Sequence, residues 1–432
     1  MLIWNTVDTK LDSLKDLVEG KLSEEAKEEY LKYKDLYDLV KHFTIKHHLI
    51  MYGGMALNEL LPKSKKFYSD SETPDYDCLS YDAKKHALLL GDELKKRGYN
   101  YVEVKSGMHD GTYKVFAEFK AAADITQVSK SLYQYLLQQS TTNPKQNQSD
   151  PGLIIAPVVF LKWSLYKELS RPEGSLFRWE KIYKRYDIFM KYFKNKSNDS
   201  SVRRLRNASQ VTVAEDDPRV MDVNRQLANI IKSMKLPLVG SFAAGLYLKT
   251  NSLLDMKDCC QLHSRWAKYT IMAEDVKKTF DDIQSLIKFP EGVTMLLKRR
   301  GQKGAGYFDE LMAARGAIFL KLKGVTQLVR VMTIFDVIGN CYSITQQAGY
   351  TVGTVDTLLQ YMYAYYMTYD FFEEDRTLST ATLQLIHSLE KYASQDLRIA
   401  EQRFSTVCYG KEKTLLNAKK EQWGQRRFVK RL

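Results

Sequence analysis

Three aspartates and a glycine pair are the residues of this chain best suited to chemistry. Gly53-Gly54 come first, Asp75 and Asp77 alternate along Thr73-Pro74-Asp75-Tyr76-Asp77, and Asp124 follows in Ala123-Asp124-Ile125. Residues i and i+2 of a β-strand point to one face, so Asp75 and Asp77 are expected side by side, roughly 7 Å apart at Cβ. Carboxylates that close resist joint ionisation unless a cation neutralises them. Hard oxygen donors favour Mg²⁺ or Mn²⁺ together with substrate phosphates. With the third aspartate on a neighbouring strand, the set makes a cage for two divalent cations. The pattern points to nucleotide chemistry.

The elements that must position these groups can be read locally. Residues 24–48 are expected to form a helix capped by Ser23, with Tyr30, Tyr33, Leu36, Leu39 and Val40 at helical spacing. Leu49–Tyr52 then forms a short strand, Gly53-Gly54 a tight turn, and Met55–Leu61 the next helix. Strand, glycine pair and helix start present backbone N–H groups to an anion. After the Asp75 strand comes a helix over Ala83–Gly98, then strands Tyr101–Ser106 and Thr112–Ala123 joined by a turn at 108–111. Alternation puts Lys114, Phe116, Glu118, Lys120, Ala122 and Asp124 on one face. His47 and His48, near a helix C-terminus, read as structural.

Composition bounds the partners. The 432 residues suit two to three domains, and their balance of 44% hydrophobic and 27% charged side chains is that of a globular chain. A formal charge of +13 favours a polyanion, either nucleic acid or an acidic membrane surface. Five cysteines without CxxC spacing argue for reduced thiols and a reducing compartment; Cys259-Cys260 with His263 lacks a second ligand pair for zinc. The N-terminus lacks a signal-peptide pattern. The tyrosine-rich stretch Thr357–Phe372 is too short to span a membrane and reads as a buried aromatic helix.

Leu153–Leu169 reads as an apolar helix carrying Lys162 and Lys167. The segment Arg178–Tyr186 interleaves cations with Trp179, Tyr183 and Tyr186. It either stacks a base or packs its aromatic face while the cations stay solvated. Asn195–Pro218, rich in Asn, Ser, Asp and Arg, marks the domain boundary. The expected division is residues 1–194, a linker at 195–218, and residues 219–432.

After the linker the pattern begins again. Leu236–Ala244 repeats strand, Gly-small turn and helix, and Thr270–Lys278 aligns with Asp77–Lys85. In that register Lys268 replaces Asp75 and Thr270 replaces Asp77, while Thr333-Ile334-Phe335-Asp336-Val337 suggests Asp336 as a surviving third aspartate. The alternative is chance similarity between two α/β segments. Arg299, Arg300 and Lys303 lie in a basic glycine-rich loop, Lys298–Gly306, which reads as a phosphate-touching hairpin tip or as a plain solvated turn. Lys411–Leu432 carries eight Lys/Arg against two Glu, a tail that raises nucleic-acid affinity or simply frays.

Gly53-Gly54, Asp75, Asp77 and Asp124 together resemble the nucleotidyltransferase superfamily that includes DNA polymerase β and the poly(A) polymerases. Tyr52–Asn58, Pro74–Asp77, Ala123–Thr126 and the stretch from Lys162 to Arg178–Lys181 are similar, more narrowly, to poly(A) polymerases of large cytoplasmic DNA viruses. Gly54 departs from the serine common in the wider superfamily, and 21 positions separate it from Asp75.

The resemblance implies an α+β fold of two tandem polymerase-β-like domains with helical flanks, the second catalytically degenerate. It implies two Mg²⁺ or Mn²⁺ ions on Asp75, Asp77 and Asp124, with Gly53, Gly54 and Lys162 holding ATP and an RNA 3′ end as acceptor. A homodimer and a cytoplasmic, viral setting also follow from it. CCA-adding or oligoadenylate-forming enzymes share the triad, and an inactive nucleic-acid-binding subunit is the reading from another class.

Overall fold

The structure, a computed structural model of the chain, describes residues 2–68, 74–107, 111–141, 152–193, 217–248, 268–300, 315–337, 339–368, 376–394, 403–412 and 429–431. It is mixed α+β and divides into two compact units, Met1–Pro157 with Gln422–Leu432 and Val158–Glu421. The break therefore falls at Pro157/Val158 rather than in the expected 195–218 segment. Helices α5 (Val158–Leu169) and α7 (Trp179–Tyr192) pack with each other, and α5 packs on a later helix of the second unit. Most of the expected linker lies outside the described residues.

In the first unit, α1 (Leu2–Lys46) buries Leu36, Tyr37, Val40 and Phe43, an apolar stripe at helical spacing. It runs straight through Ser23, so the expected cap there is not used. A seven-stranded sheet follows in the order β14-β3-β4-β5-β2-β1-β6. Its strands are β1 (Ile50–Met51), β2 (Asp77–Ser80), β3 (Glu103–Ser106), β4 (Thr112–Ala117), β5 (Lys120–Gln127), β6 (Ile154–Ile155) and β14 (Val429–Arg431). The last of these adds part of the basic tail to the sheet edge beside β3.

Helix α2 (Gly53–Leu60) leaves β1 directly, and α3 (Ala83–Lys96) leaves β2. The buried face of α3 is His86, Ala87, Leu90, Gly91 and Leu94. Gly98, at φ +89, ends it: Gly98 N–H donates to the Lys95 carbonyl and Tyr99 N–H to the Leu94 carbonyl. Helix α4 (Lys130–Thr141) precedes β6.

One expected strand is two. Thr112–Ala123 breaks into β4 and β5 at Glu118-Phe119, a two-residue hairpin turn with both residues left-handed, at φ 50 and φ 62. Such turns ordinarily use Asn-Gly or Asp-Gly, so Glu-Phe gave no turn signal. The face pattern drawn through the whole segment therefore does not hold across residue 118, and Phe119 is exposed at the tip.

The second unit carries α6 (Pro172–Ser175), α8 (Pro218–Ser233), α9 (Ser241–Leu248), α10 (Val276–Leu286), α11 (Val355–Met367) and α12 (Arg376–Ala393) beside α5 and α7. Its strands are β7 (Tyr269–Ala273), β8 (Val293–Arg300), β9 (Arg315–Leu322), β10 (Val329–Asp336), β11 (Cys341–Gln347), β12 (Tyr350–Gly353) and β13 (Cys408–Gly410). One sheet is β7-β10-β9-β8 and another β12-β11-β13. Leu238 joins them, pairing antiparallel with Ile271 and parallel with Val352. The resulting order β8-β9-β10-β7-Leu238-β12 parallels β3-β4-β5-β2-β1-β6 of the first unit.

The parallel extends to single residues. Tyr52 N–H donates to Asp77 carbonyl at 3.0 Å, and Val239 N–H donates to Thr270 carbonyl at 2.8 Å. Gly53 and Gly240 both have positive φ, +71 and +103. The register also corrects the alignment. Asp77 faces Asp124 across β2 and β5, whereas Thr270 faces Thr333 across β7 and β10; Asp336 faces Ala273, three residues further on. Thr333, rather than Asp336, is thus in register with Thr270.

Helix α11 is buried along its length, as the tyrosine-rich stretch suggested. Among the described residues no helix is long and apolar enough to cross a membrane. On α7, Trp179 and Tyr186 are buried and Lys181 and Lys184 exposed, as the packed-face reading expects, but Tyr183 is exposed and the cation Arg185 is buried, so the face is not the one expected. The thiols depart from expectation: Cys341 and Cys408 form a disulfide between β11 and β13. Their separation of 67 residues left no local spacing to read. Cys78 is free and buried, and Cys259, Cys260 and His263 lie outside the described residues.

Candidate active site

The first unit gathers Gly53, Asp75, Asp77 and Asp124 where β2 begins beside β5 and β1, at one end of the sheet's interior strands. Asp77 opens β2 and lies in register with Asp124 of β5. Asp75 is not part of the strand: it is exposed just before it, and its carbonyl accepts from Asp77 N–H at 3.0 Å. Asp124 N–H is held by Tyr76 carbonyl at 2.9 Å, so the chain between the first two aspartates is pinned to the strand carrying the third. Below them, Tyr52 hydroxyl meets Thr126 Oγ1 at 3.1 Å, and Thr126 meets Thr112 Oγ1 at 3.0 Å.

Gly53 is needed here for space. A Cβ on this residue would run into Asp77 Oδ2 and lie 3.2 Å from Asp77 Cβ and Cγ, and its φ of +71 disfavours any side chain. The carboxylate of Asp77 thus lies against the first residue of α2. No side chain caps that helix start, and Gly54 is buried behind it. The first-turn N–H groups of a helix have no intrahelical acceptor and face an anion favourably.

Charge in the cluster is strongly coupled. Burial pushes the Asp124 carboxyl above the usual carboxylate range, the hydrogen bond and charge of Lys114 pull it back, and Asp75 repels it upward again. Lys114 is the cross-strand partner of Asp124 on β4 and forms an ion pair with it. Burial pushes the Cys78 thiol up to about 12; the hydrogen bond between it and Thr44 opposes this, and the charges of Asp77, Asp124 and Asp75 add to it.

The donor set suits a hard divalent cation: all oxygen, partly solvated and doubly or triply negative. It is open rather than closed. Among the described residues, the three aspartates do not bring ligand atoms all within 4.8 Å of one another; the group that does, Glu173 with Cys341 and Cys408, has both sulfurs tied up in the disulfide.

The other expected residues fall elsewhere. Lys162 lies in the second unit with its side chain at 0% exposure, its ammonium 3.3 and 3.4 Å from the Glu390 carboxylate oxygens. Burial lowers its pKa, against the opposing pull of Glu390. An ammonium so enclosed presents no donor to a solvated triphosphate. Arg299 and Arg300 end β8, where Arg299 is exposed, and Lys303 lies outside the described residues. His47 packs on Phe43 at 4.2 Å, in keeping with a structural role. Lys114 is the site residue that sequence reasoning missed, because only strand register reveals it.

Residues 38–175 match the family model for the poly(A) polymerase catalytic subunit. A protein of African swine fever virus, provisionally named poly(A) polymerase catalytic subunit, is 27% identical over 161 residues, covering 36% of this chain and 32% of that protein. A protein of Acanthamoeba polyphaga mimivirus with the same provisional name is 29% identical over 127 residues, covering 28% of this chain and 22% of that one. This chain thus matches about a third of the length of its viral relatives, or less. The crystal structure of the Megavirus polyadenylate synthase shares the fold, with a TM-score of 0.75 at 16% identity over 99% of this chain and 85% of that one. The family-model match over residues 38–175 takes in Gly53 and all three aspartates, so it is this part of the chain that is similar to the poly(A) polymerase catalytic subunit family.

Proposed function

We propose that this protein adds adenylates from ATP to RNA 3′ ends without a template. The observation that carries the reading is the register Asp77–Asp124 with Gly53 packed on Asp77, inside the stretch matched by the family model. Asp75, Asp77 and Asp124 are the residues that would hold divalent cations. Those ions would supply the acidity that makes the 3′-hydroxyl a nucleophile and the charge that steadies leaving pyrophosphate.

The chain's own residues do the rest. The N–H groups of Gly53 and Gly54 at the start of α2 orient the phosphates. Gly53 leaves the space in which Asp77 stands. Tyr76 holds Asp124 in line through its carbonyl. Lys114 balances Asp124 so that a half-buried carboxylate is tolerated between turnovers. The net charge of +13 suits an RNA acceptor.

The second unit, on this reading, is a degenerate copy of the first. Lys268, Thr270 and Thr333 stand where Asp75, Asp77 and Asp124 stand, and Gly240 meets Thr270 as Gly53 meets Asp77. Without carboxylates it holds no catalytic cations and serves the structure or the RNA. A homodimer and a cytoplasmic setting belong to the same proposal.

Incubation of the protein with a short RNA primer, Mg²⁺ or Mn²⁺ and each nucleotide separately tests the activity. Long tails with ATP alone support it. Addition of CTP followed by ATP, or 2′-linked oligoadenylates without primer, would assign the related transferases instead. No incorporation with any nucleotide would leave a binding subunit.

A further inference from the structure

Two exposed aromatic rings stand together at the catalytic end of the first unit's sheet. Tyr101 is 66% exposed and Phe119 76%, yet their rings stack at 4.4 Å between centroids with 28° between planes. Apolar rings this exposed are ordinarily scattered singly and need no explanation; a fixed, stacked pair does. It is fixed by crossed bonds between the loops that carry it. Glu118 N–H donates to Asn100 carbonyl at 3.0 Å, and Asn100 N–H donates to Glu118 Oε1 at 2.7 Å. Tyr101, Glu118 and Phe119 all take left-handed backbone conformations, at φ 51, 50 and 62.

The pair's place in the sheet follows from register. Asp124 of β5 faces the first residue of β2, so Lys120–Ala123 continue past β2 on the side of Asp77 and end in the Phe119 tip. The path from Asp124 to Phe119 is five residues, roughly 17 Å along a strand. Helix α3 starts beyond the far end of β2 and runs back about 21 Å over fourteen residues, against about 13 Å for the four of β2. Its C-terminal residues Lys95, Lys96 and Arg97, all exposed, thus come out at the same end, just ahead of Tyr101.

We infer that the Tyr101–Phe119 pair, with Lys95, Lys96 and Arg97, is a platform for single-stranded RNA upstream of the 3′ end, the bases stacking on the rings and the phosphates meeting the cations. The inference rests on the proposed activity for the direction of the strand, but the platform itself is a binding site. Stacking on an aromatic face suits any base, and a cationic track suits the backbone, which is what a template-independent enzyme requires. The one acidic side chain of the turn, Glu118, is held on the Asn100 amide.

The test is fluorescence anisotropy of a labelled single-stranded RNA with the full-length protein in chelator, run beside adenylate addition with metal and ATP. Phe119→Ala and Tyr101→Ala are each expected to raise Kd about tenfold. Phe119→Trp keeps wild-type affinity, whereas Phe119→Leu loses as much as alanine, because stacking needs a ring. Lys95→Gln with Lys96→Gln flattens the salt dependence of binding. Unchanged Kd in Phe119→Ala, full recovery with leucine, or self-association of the wild type that Phe119→Ala abolishes would each overturn the platform. Wild-type protein that binds RNA through these rings but adds no adenylate would overturn the activity and leave the platform standing. Adenylate addition by wild type with unchanged binding in Phe119→Ala would do the reverse.

Discussion

Gly53 lies against Asp77 so closely that a Cβ on the glycine would collide with the carboxylate, and Gly240 lies against Thr270 in the same way. One backbone arrangement thus occurs twice, once beneath a carboxylate and once beneath a threonine. Gly53→Ala and Gly240→Ala are therefore expected to destabilise by a similar amount, about 1–2 kcal/mol each from the left-handed φ. Only Gly53→Ala should also lower adenylate addition, at least a hundredfold, by displacing Asp77. Urea titration and a primer assay separate the two effects.

On the proposed reading of the second unit as a degenerate copy, strand register puts Thr333, not Asp336, at the third position. Asp336→Asn is expected to leave tailing within about twofold, since Asp336 faces Ala273. Asp124→Asn should reduce it by at least a thousandfold, a loss of about 4 kcal/mol in transition-state stabilisation. Comparable losses in both variants would contradict the register.

Asp124 is held in a conflict that pH exposes. Its folded carboxyl titrates above the ordinary range, first because it is buried, with Lys114 opposing and Asp75 adding to the shift. The native state then binds the proton more tightly than the unfolded chain. Its contribution to stability is present at low pH and is lost as pH rises from the unfolded value through the folded one. Asp124→Asn in chelator should therefore melt no lower than wild type at neutral pH despite being inactive. Lys114→Met should melt lower at neutral pH and recover on acidification. Thermal scans across acid to neutral pH read both.

Lys162 and Glu390 form a buried pair, with Tyr363 hydroxyl donating to Glu390 at 2.5 Å. Lys162→Met strands that carboxylate and is expected to cost about 3–5 kcal/mol. Adding Glu390→Gln should restore much of it. The KM for ATP should stay within about twofold in the doubly substituted protein, because the ammonium is enclosed. A large rise in KM with stability restored would return Lys162 to the nucleotide site.

The Cys341–Cys408 disulfide closes a 67-residue separation and limits the unfolded chain by up to about 4 kcal/mol. Cys341→Ser with Cys408→Ser, or a strong reductant, should lower the melting temperature of the second unit. Cys78, with its thiol pushed up to about 12 and fully buried, should resist alkylation in the native protein at pH 8. Peptide mapping after alkylation checks it.

Much of the site was legible because its parts are local. Gly53-Gly54 after an apolar strand, Asp75 two residues before Asp77, and Gly98 closing α3 are short-range patterns whose physics needs no tertiary context. What escaped depends on pairing. Lys114 became a site residue only when β4 met β5. The Glu118-Phe119 turn lacked glycine and asparagine, so two strands read as one. The pairing of Asp336 with Ala273 rather than Thr270 was equally hidden until β7 met β10. Lys162 carried a charge that suggested phosphate, and burial against Glu390 gave it another partner.

The central claim rests on Asp77, and one measurement meets it directly: ATP incorporation onto an RNA 3′ end by wild-type protein and by Asp77→Asn, at matched folding and saturating Mg²⁺ or Mn²⁺. The account predicts long adenylate tails from wild type and a loss of at least a thousandfold in the variant, with its fold and RNA binding retained. Tailing by Asp77→Asn within tenfold of wild type would contradict it.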